Sequence, residues 1–191
     1  MHGAMEPSQP VIFTVGHSTR SAEEFLALLK AHGIQAIADV RLIPKSRRYP
    51  HFHDDQMAQW LPDAGIAYVP FKQLGGRRRP AKDSINIGWR NESFRGYADF
   101  MQQEAFSRAV DELMALASQW PTATMCAEAV PWRCHRSLIS DALLVRGWRV
   151  LDVTSATKAA AHKLTPFAKV DGLRITYPPE EPQLFTGADA C

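Results

Sequence analysis

Residues 124–137 read TMCAEAVPWRCHRS, and this short run holds most of the reactive side-chain types that the chain contains. It includes two cysteines, a glutamate, a histidine and two arginines: Cys126, Glu128, Arg133, Cys134, His135 and Arg136. The apolar residues before the run predict a strand, and those after it predict a helix. A strand-to-helix connection needs only a turn and a cap, so this composition indicates that the junction carries chemistry.

Cys134 is a candidate nucleophile. It lies near the predicted start of a helix, between Arg133 and His135, and both settings favour the thiolate over the thiol. The alternative role is an unreactive surface thiol. Cys126 lies inside an apolar strand, where a cysteine commonly serves as a small hydrophobic residue, and it is retained as a second catalytic candidate.

Three further residues are candidates for proton transfer. Glu128 follows a buried strand, where an unpaired carboxylate is costly, so we expect either a general acid–base or an ion pair with Arg133 or Arg136. His17, at the end of the first predicted strand, is the best histidine for acid–base chemistry. Asp39, at the end of the second predicted strand, completes the catalytic candidates.

Basic residues and glycines follow the same strand ends. The predicted ligand-binding residues are Ser18, Arg41, Arg47, Gly75, Gly76, Arg133, His135 and Arg136. Two basic loops beside flexible glycines, whose backbone N–H groups can approach an anion, indicate a phosphate-bearing small molecule or nucleic acid. Trp89, Trp132 and Tyr49 lie close by in sequence and could stack on a base.

The spacing of these side chains does not predict a metal site, and no cofactor is expected. The paired C-x-x-C motif of structural zinc sites is missing, and adjacent Cys134 and His135 are not expected to bind one ion together. A metal-dependent enzyme that uses the C-x-E…C-H run remains an alternative, because the order of these residues is similar to that in zinc deaminases.

Apolar runs predict the elements that position these residues. Five buried strands are predicted over residues 11–16, 34–41, 66–71, 122–128 and 148–154. Helical patterns between them predict right-handed crossovers, and hence an α/β fold with a mainly parallel sheet flanked by helices, either as a three-layer sandwich or as a partial barrel. A last helix is predicted over residues 156–168. Because parallel sheets bind ligands at the carboxyl ends of their strands, the five loops should converge on one crevice.

Length and composition indicate one domain over residues 11–170, after a disordered N-terminus (1–10) and before an extended proline-rich tail (171–191). The 191 residues are 46% hydrophobic and 22% charged, with a net charge of +2, which is ordinary for a globular protein. Three cysteines do not make a disulfide framework. Without a secretory signal or an apolar run of roughly 20 residues, we predict a cytoplasmic protein with no membrane partner.

Five short motifs together resemble a known family. They are GHS after the first strand, DVR with SR nearby, LGG, MCAE-x-x-P-x-x-CHR and HKLTPFA. They resemble the bacterial family catalogued as domain of unknown function 488 over residues 14–168. The resemblance implies an intracellular α/β protein and no agreed reaction or ligand.

The function is therefore predicted from the residues themselves. We expect an enzyme, a hydrolase or a transferase, that acts on a phosphate-bearing, nucleotide-like substrate. The alternatives are a non-catalytic nucleic-acid-binding or regulatory module, and the metal-dependent enzyme described above.

Overall fold

The computed structural model describes residues 9–179, which form one α/β domain around a six-stranded sheet. Its strands are β1 Val11–Gly16, β2 Ala36–Asp39, β3 Ala67–Pro70, β4 Thr122–Cys126, β5 Arg149–Ser155 and β6 Lys158–Ala161. They lie in the order β3-β2-β4-β1-β5-β6, with the first five parallel and β6 antiparallel to β5. The predicted fold class is confirmed. The sheet is open, so the alternative of a partial barrel is wrong.

Helices cover both faces of the sheet. They are α1 Ala22–Ala31, α2 Asp54–Asp63, α3 Glu92–Phe100, α4 Glu104–Gln119 and α5 Arg136–Val145. On one face, Leu29 of α1 and Met57 of α2 share a core with Val15 of β1. On the other face, α3, α4 and α5 pack together, and Leu138 shares a core with Ile12 of β1. Within residues 9–179, no helix has both the length and the apolar character that a membrane crossing requires.

The C-terminal part of the domain differs from the prediction. The prediction of a helix over residues 156–168 is wrong, because Lys158–Ala161 forms β6 on the free edge of β5. A short alanine-rich segment has only a weak intrinsic preference for the α-helix, and hydrogen bonding to the edge of a sheet overrides that preference. A hairpin of β7 Lys169–Asp171 and β8 Arg174–Thr176 follows.

The predicted boundary at residue 170 also needs correction. Ile175 and Tyr177 are buried in the core that α3, α4 and α5 form, so the domain continues beyond that residue. The remainder of the predicted tail, residues 180–191, lies outside the described part of the chain. So do residues 1–8 of the N-terminus that was predicted to be disordered.

A buried polar network ties this segment to the sheet. Asp141 of α5 accepts hydrogen bonds from His162 Nε2 (3.0 Å), the backbone N–H of Thr165 (3.1 Å) and the hydroxyl of Tyr177 (2.8 Å). His162 Nδ1 lies 3.2 Å from Asp152 of β5. Burial lowers the pKa of His162, but the hydrogen bonds and charges of Asp141 and Asp152 outweigh burial and raise it to about 9. We call these five residues the His162 network.

Candidate functional site

A cavity of about 720 Å³ opens at the carboxyl ends of β1, β2 and β4. Most of the predicted site residues line it: His17, Ser18, Arg41, Gly76, Cys126, Glu128, Arg133, Cys134 and His135. The GHS and CHR segments therefore meet on one side of the domain. Asp39, Arg47, Gly75 and Arg136 do not line the cavity. The loop after β5 does not reach the cavity either. Five loops were predicted to converge, and only the loops after β1, β2, β3 and β4 do so.

Sheet pairing brings the loops together, because β4 lies between β2 and β1. Gly16 is in register with Cys126, and the N–H groups of His17 and Ser18 donate to the carbonyls of Cys126 (3.0 Å) and Ala127 (2.9 Å). A Cβ on Gly16 would lie 1.8 Å from the carbonyl oxygen of Glu128, so only glycine fits there. Ser18 has a left-handed backbone (φ 53°), which is uncommon for a residue with a side chain.

Two thiols and one imidazole meet in the wall of this cavity. The Sγ atoms of Cys126 and Cys134 and a ring nitrogen of His135 all lie within 4.8 Å of one another. Cys134 Sγ is 3.6 Å from His135 Nδ1, and His135 Nε2 lies 3.0 Å from the carbonyl oxygen of Val40. That oxygen can only accept a hydrogen bond, so the proton is on Nε2 and the lone pair of Nδ1 faces the sulfurs. We call these three residues the Cys–Cys–His cluster.

The backbone explains how neighbouring residues can share this cluster. Cys134 is extended (φ −138°, ψ 146°) at the end of a short 3-10 helix, whereas His135 has helical angles (φ −56°, ψ −13°) just before α5. This bend turns both side chains to the same side. The expectation that Cys134 and His135 could not both face one ion is therefore wrong. Gly76 leaves room for the ring, since a Cβ there would lie 2.8 Å from His135 Nδ1.

The two thiols differ in acidity. The neighbouring Cys126 thiol and the charge of Arg136 lower the pKa of Cys134 despite its burial. The proximity of Cys134, together with burial, raises the pKa of Cys126. The cluster therefore favours a Cys134 thiolate beside a Cys126 thiol. Cys134 is only 3% exposed, so the alternative of a surface thiol is wrong.

Asp39 supports the site from beneath it. Its Oδ1 accepts from the backbone N–H and Nε of Arg41, and its Oδ2 accepts from Arg41 Nη2 (2.6 Å) and from the Tyr68 hydroxyl (2.7 Å). Both oxygens are thus occupied, and Asp39 is 2% exposed. Asp39 was predicted to be catalytic. The structure gives it a positioning role, because its carboxylate holds Arg41 at the cavity wall.

His17 is also tied to Arg41. Its ring stacks on Phe52 with 4.1 Å between centroids, its Nδ1 lies 3.0 Å from the carbonyl oxygen of Ser18, and its Nε2 lies 3.3 Å from Arg41 Nη1. The carbonyl requires the proton on Nδ1, so Nε2 accepts from the guanidinium. Burial and the charge of Arg41 lower the pKa of His17 to about 4. His17 is therefore a neutral acceptor at pH 7.

Arg136 differs most from its predicted role. Only 1% of it is exposed, and its guanidinium donates to Thr14 Oγ1 (2.8 Å) and to the backbone carbonyl of Glu128 (2.6 Å). It fastens the loop after β4 to β1 and is not available to a ligand in the cavity. Its contact with Glu128 is to the main chain, so the ion pair that was considered between these residues is not formed.

Glu128 and two arginines face the cavity without protein partners. Within the described part of the chain, the carboxylate of Glu128 and the guanidinium groups of Arg77 and Arg133 form no hydrogen bond or ion pair, and all three side chains are exposed. Lys45 also lines the cavity, although Asp54 lies 2.7 Å from its Nζ.

The other basic and glycine residues of the two loops have different roles. Arg47 is exposed but lies away from the cavity wall. Arg78 stacks on Phe100 at 3.9 Å and donates to two backbone carbonyls, so its role is structural. Gly75 is buried, and a Cβ on it would lie 2.8 Å from the Leu42 side chain.

Only Tyr49 of one cavity wall was predicted to contact a ligand. Asn91, Ser93 and Phe94 at the start of α3 line this wall, together with Leu42, Ile43 and Tyr49. Asn91 caps α3 by accepting from the N–H groups of Ser93 and Phe94. The cap was visible in the sequence, but its position beside the loop after β2 was not. Trp89 packs against Phe94, Phe167 and Tyr177 and is not free to stack on a ligand.

Comparison with known proteins gives one match. A family model described as domain of unknown function DUF488 matches residues 21–143, more than half of the chain. No curated protein and no solved structure matches this chain. The matched segment contains the whole Cys–Cys–His cluster and the Asp39–Arg41 pair, whereas His17 lies just before it.

Proposed function

The chain belongs to the family of domain of unknown function DUF488, and we propose that it is an enzyme acting on a phosphate-bearing small molecule in the cavity at the strand carboxyl ends. The observation that supports this most is that two groups of side chains face the same cavity of about 720 Å³. One consists of arginines that no other described residue pairs with, and the other is the Cys–Cys–His cluster. One set of groups binds an anion and the other is reactive, which is the arrangement that substrate binding followed by chemistry requires.

The charges favour an anionic ligand. Arg41 is neutralised by Asp39 and Lys45 by Asp54, whereas Arg77 and Arg133 have no acidic partner among residues 9–179. Guanidinium groups bind phosphate oxygens in pairs of charge-assisted hydrogen bonds. An anionic ligand would therefore supply the partner that the protein does not provide.

The volume and the apolar wall favour a small molecule over a nucleic-acid strand. A cavity of about 720 Å³ is in the usual range for small-molecule sites, about 300 to 1,000 Å³. Leu42, Ile43, Tyr49 and Phe94 line one side of it and would contact the uncharged part of the substrate. Two aromatic rings in this wall suit a flat base, so a nucleotide is the substrate class that we favour.

Glu128 and Cys134 are the reactive residues of the proposal. Glu128 has an exposed carboxylate that no other described residue engages, so it is available for general acid–base catalysis. Cys134 favours the thiolate, which is a nucleophile and also a metal ligand. His17 is proposed to orient Arg41 and not to transfer protons, because both of its ring nitrogens are engaged. The reaction class is transfer of a group to water or to a second substrate.

Nucleic-acid binding is the second candidate, and one observation favours it. Trp132 is 68% exposed beside the exposed Arg133, and an aromatic ring next to a cation is typical of single-strand binding surfaces. Binding of this kind weakens steeply with salt because it releases many counterions. A small-molecule site with two arginines would show a shallower dependence.

Calorimetric titration with adenosine monophosphate, with adenosine and with a single-stranded oligonucleotide tests the proposal. We expect the monophosphate to bind and adenosine to bind much more weakly. Arg77→Ala and Arg133→Ala should each weaken monophosphate binding by about 10-fold, because each removes a charge-assisted hydrogen bond. Arg47→Ala is the matched control, since this exposed arginine lies outside the cavity wall, and it should change the affinity by less than about twofold.

Three results would contradict the proposal. One is equal weakening by Arg47→Ala, and another is a preference for the oligonucleotide with a steep salt dependence. The third is failure of a panel of nucleotides, sugar phosphates and inorganic phosphate to bind. Once a substrate is found, Glu128→Gln should retain binding while it lowers turnover by about 100-fold or more.

A further inference from the structure

We propose that Cys126, Cys134 and His135 form a binding site for a thiophilic divalent cation of the zinc class, with one coordination position open to the cavity. The inference deepens the proposed function, on which it rests for the substrate. It starts from Cys126, because a nucleophile at Cys134 does not by itself explain why a second sulfur and an imidazole nitrogen converge on the same point. A metal site uses all three side chains.

The distances suit a tetrahedral ion. Zinc lies about 2.3 Å from a thiolate sulfur and about 2.0 to 2.1 Å from an imidazole nitrogen, so tetrahedral angles separate sulfur and nitrogen by about 3.5 Å. Cys134 Sγ and His135 Nδ1 are 3.6 Å apart. All three donor atoms lie within 4.8 Å of one another. A single ion can therefore contact all three donors after small side-chain adjustments.

The protonation of His135 fits a ligand. Its Nε2–H donates to the backbone carbonyl of Val40 at 3.0 Å, which leaves the lone pair of Nδ1 directed at the two sulfurs. Histidines that bind metals almost always donate their other ring N–H to a carbonyl or carboxylate in this way, and the bond fixes both the tautomer and the ring orientation. A disulfide pair of Cys126 and Cys134 would need no such imidazole.

The backbone holds the donors in place before an ion arrives. Cys126 ends the central strand β4, and its carbonyl accepts from the N–H of His17 at 3.0 Å. The carbonyl of Cys134 accepts from the N–H and the hydroxyl of Ser137, each at 3.0 Å. Gly76 lies against the His135 ring, where a Cβ would lie 2.8 Å from Nδ1. Such support lowers the entropy that is lost on binding.

Among the described residues three donors meet, and this number indicates a catalytic type of site. Structural zinc sites use four protein ligands, whereas catalytic sites use three and leave the fourth position to water or substrate. All three donors line the cavity, as do Glu128 and Arg133. A water or a substrate oxygen at the fourth position would lie in the same space as the carboxylate and the cations. Lewis-acid chemistry on a phosphate-bearing substrate fits this arrangement.

Metal titration of the full chain tests the site directly. The protein is purified under reducing conditions, stripped with a chelator and titrated with Co²⁺, which reports its ligands by absorption. We expect one Co²⁺ per chain, thiolate-to-cobalt charge-transfer bands in the near ultraviolet, visible bands typical of four-coordinate cobalt, and loss of all of them when Zn²⁺ is added.

Variants identify the ligands. Cys126→Ser, Cys134→Ser and His135→Gln should each weaken Co²⁺ binding by at least about 100-fold, since loss of an outer partner alone weakens metal binding by about 10- to 100-fold. His53→Gln is the matched control from outside the cavity wall, and Cys191→Ser removes the third cysteine of the chain. Each variant should stay within about twofold of the parent chain. Circular dichroism of every variant distinguishes a lost ligand from a lost fold.

Several outcomes would overturn the inference. They are the absence of charge-transfer bands in the reduced, folded parent chain, bands that survive Cys126→Ser, and Co²⁺ uptake that depends on Cys191. If no metal binds while Arg77→Ala still weakens binding of adenosine monophosphate, only the metal site fails. If the metal binds and no phosphate-bearing ligand does, the proposed substrate fails and the metal site stands.

Discussion

The cavity and the His162 network are both polar clusters on the same sheet, and they differ in where their polar atoms find partners. In the network, Asp141 is fully buried and its carboxylate oxygens accept three hydrogen bonds from the protein. In the cavity, the side chains of Glu128 and Arg133 face open space and have no partner among residues 9–179. A buried polar group with all its partners stabilises the fold, whereas unpartnered groups around a cavity are available to a ligand.

The difference shows why residue type alone does not identify a site. His17 follows β1 and His162 follows β6, and the two carry the same imidazole side chain. The structure lowers the pKa of His17 to about 4 and raises that of His162 to about 9. One ring is buried beside a guanidinium and the other lies between two carboxylates, so the local charge determines which form each one adopts.

The largest effect that would test this comparison is on stability. Asp141→Asn should lower the free energy of unfolding by about 3 to 5 kcal/mol, because it removes one partner of a buried charged pair. Glu128→Gln should change the free energy by less than about 0.5 kcal/mol, as for other exposed positions. Urea denaturation of both variants measures the difference. Equal losses would mean that the cavity is also a structural cluster.

Two histidines should contribute limbs of opposite slope to the pH dependence of stability. Below pH 6.5, the lowered pKa of His17 makes the unfolded chain bind more protons, so its contribution to stability is lost as the pH falls through 4. Above pH 6.5, the raised pKa of His162 makes the folded chain bind more protons, so its contribution is lost as the pH rises through 9. The combined contribution of these two histidines should therefore be highest near pH 6.5.

Chemical denaturation of histidine variants from pH 4 to 10 measures how the free energy of unfolding depends on pH, and should separate the two limbs. His17→Gln should flatten the acid limb, and His162→Gln should flatten the alkaline limb. Asp141, Asp152 and Tyr177 surround His162, so Asp152→Asn should also reduce the alkaline slope by weakening one of the two pairs. If His162→Gln leaves the alkaline slope of the free energy of unfolding unchanged, His162 is not the cause of that slope.

The smallest effect concerns the two thiols of the cavity. In the reduced, metal-free chain, iodoacetamide should modify Cys134 faster than Cys126 at pH 6, because only Cys134 has a lowered pKa. The difference in rate should shrink as the pH rises and Cys126 begins to ionise. Cys134 is the more buried of the two, which limits the size of the effect. Peptide mapping across pH 5 to 9 measures both rates, and faster labelling of Cys126 throughout would contradict the assignment of the thiolate.

The strands were predictable because each one is a short apolar run that the sheet buries. Residues 11–16 predict β1 with the bounds that the structure has. Ser21 and Glu24 form a capping box at the start of α1, and their S-x-x-E spacing is a local sequence pattern. Local patterns of this kind depend on neighbouring residues, so the sequence contains them directly.

Predictions that depended on distant residues were less accurate. Residues 156–168 read as a helix because their alanines favour one, but the exposed edge of β5 offered a strand partner. Asp39 and Arg136 read as site residues because they follow or flank strand ends. Asp39 binds Arg41 and Tyr68, whereas Arg136 binds Thr14 and the carbonyl of Glu128, and no local pattern predicts these distant contacts.

The amino-acid sequence by itself determined the α/β class, the strands of the parallel sheet and the edge of the sheet at which reactive residues collect. These follow from apolar periodicity and from the direction of parallel strands. Only the tertiary structure decided which of those residues face the cavity, which are consumed by internal hydrogen bonds, and that Cys126 meets Cys134 and His135. The physical reason is that the strand order places β4 between β1 and β2, and the acidity and availability of a side chain depend on neighbours that are distant along the chain.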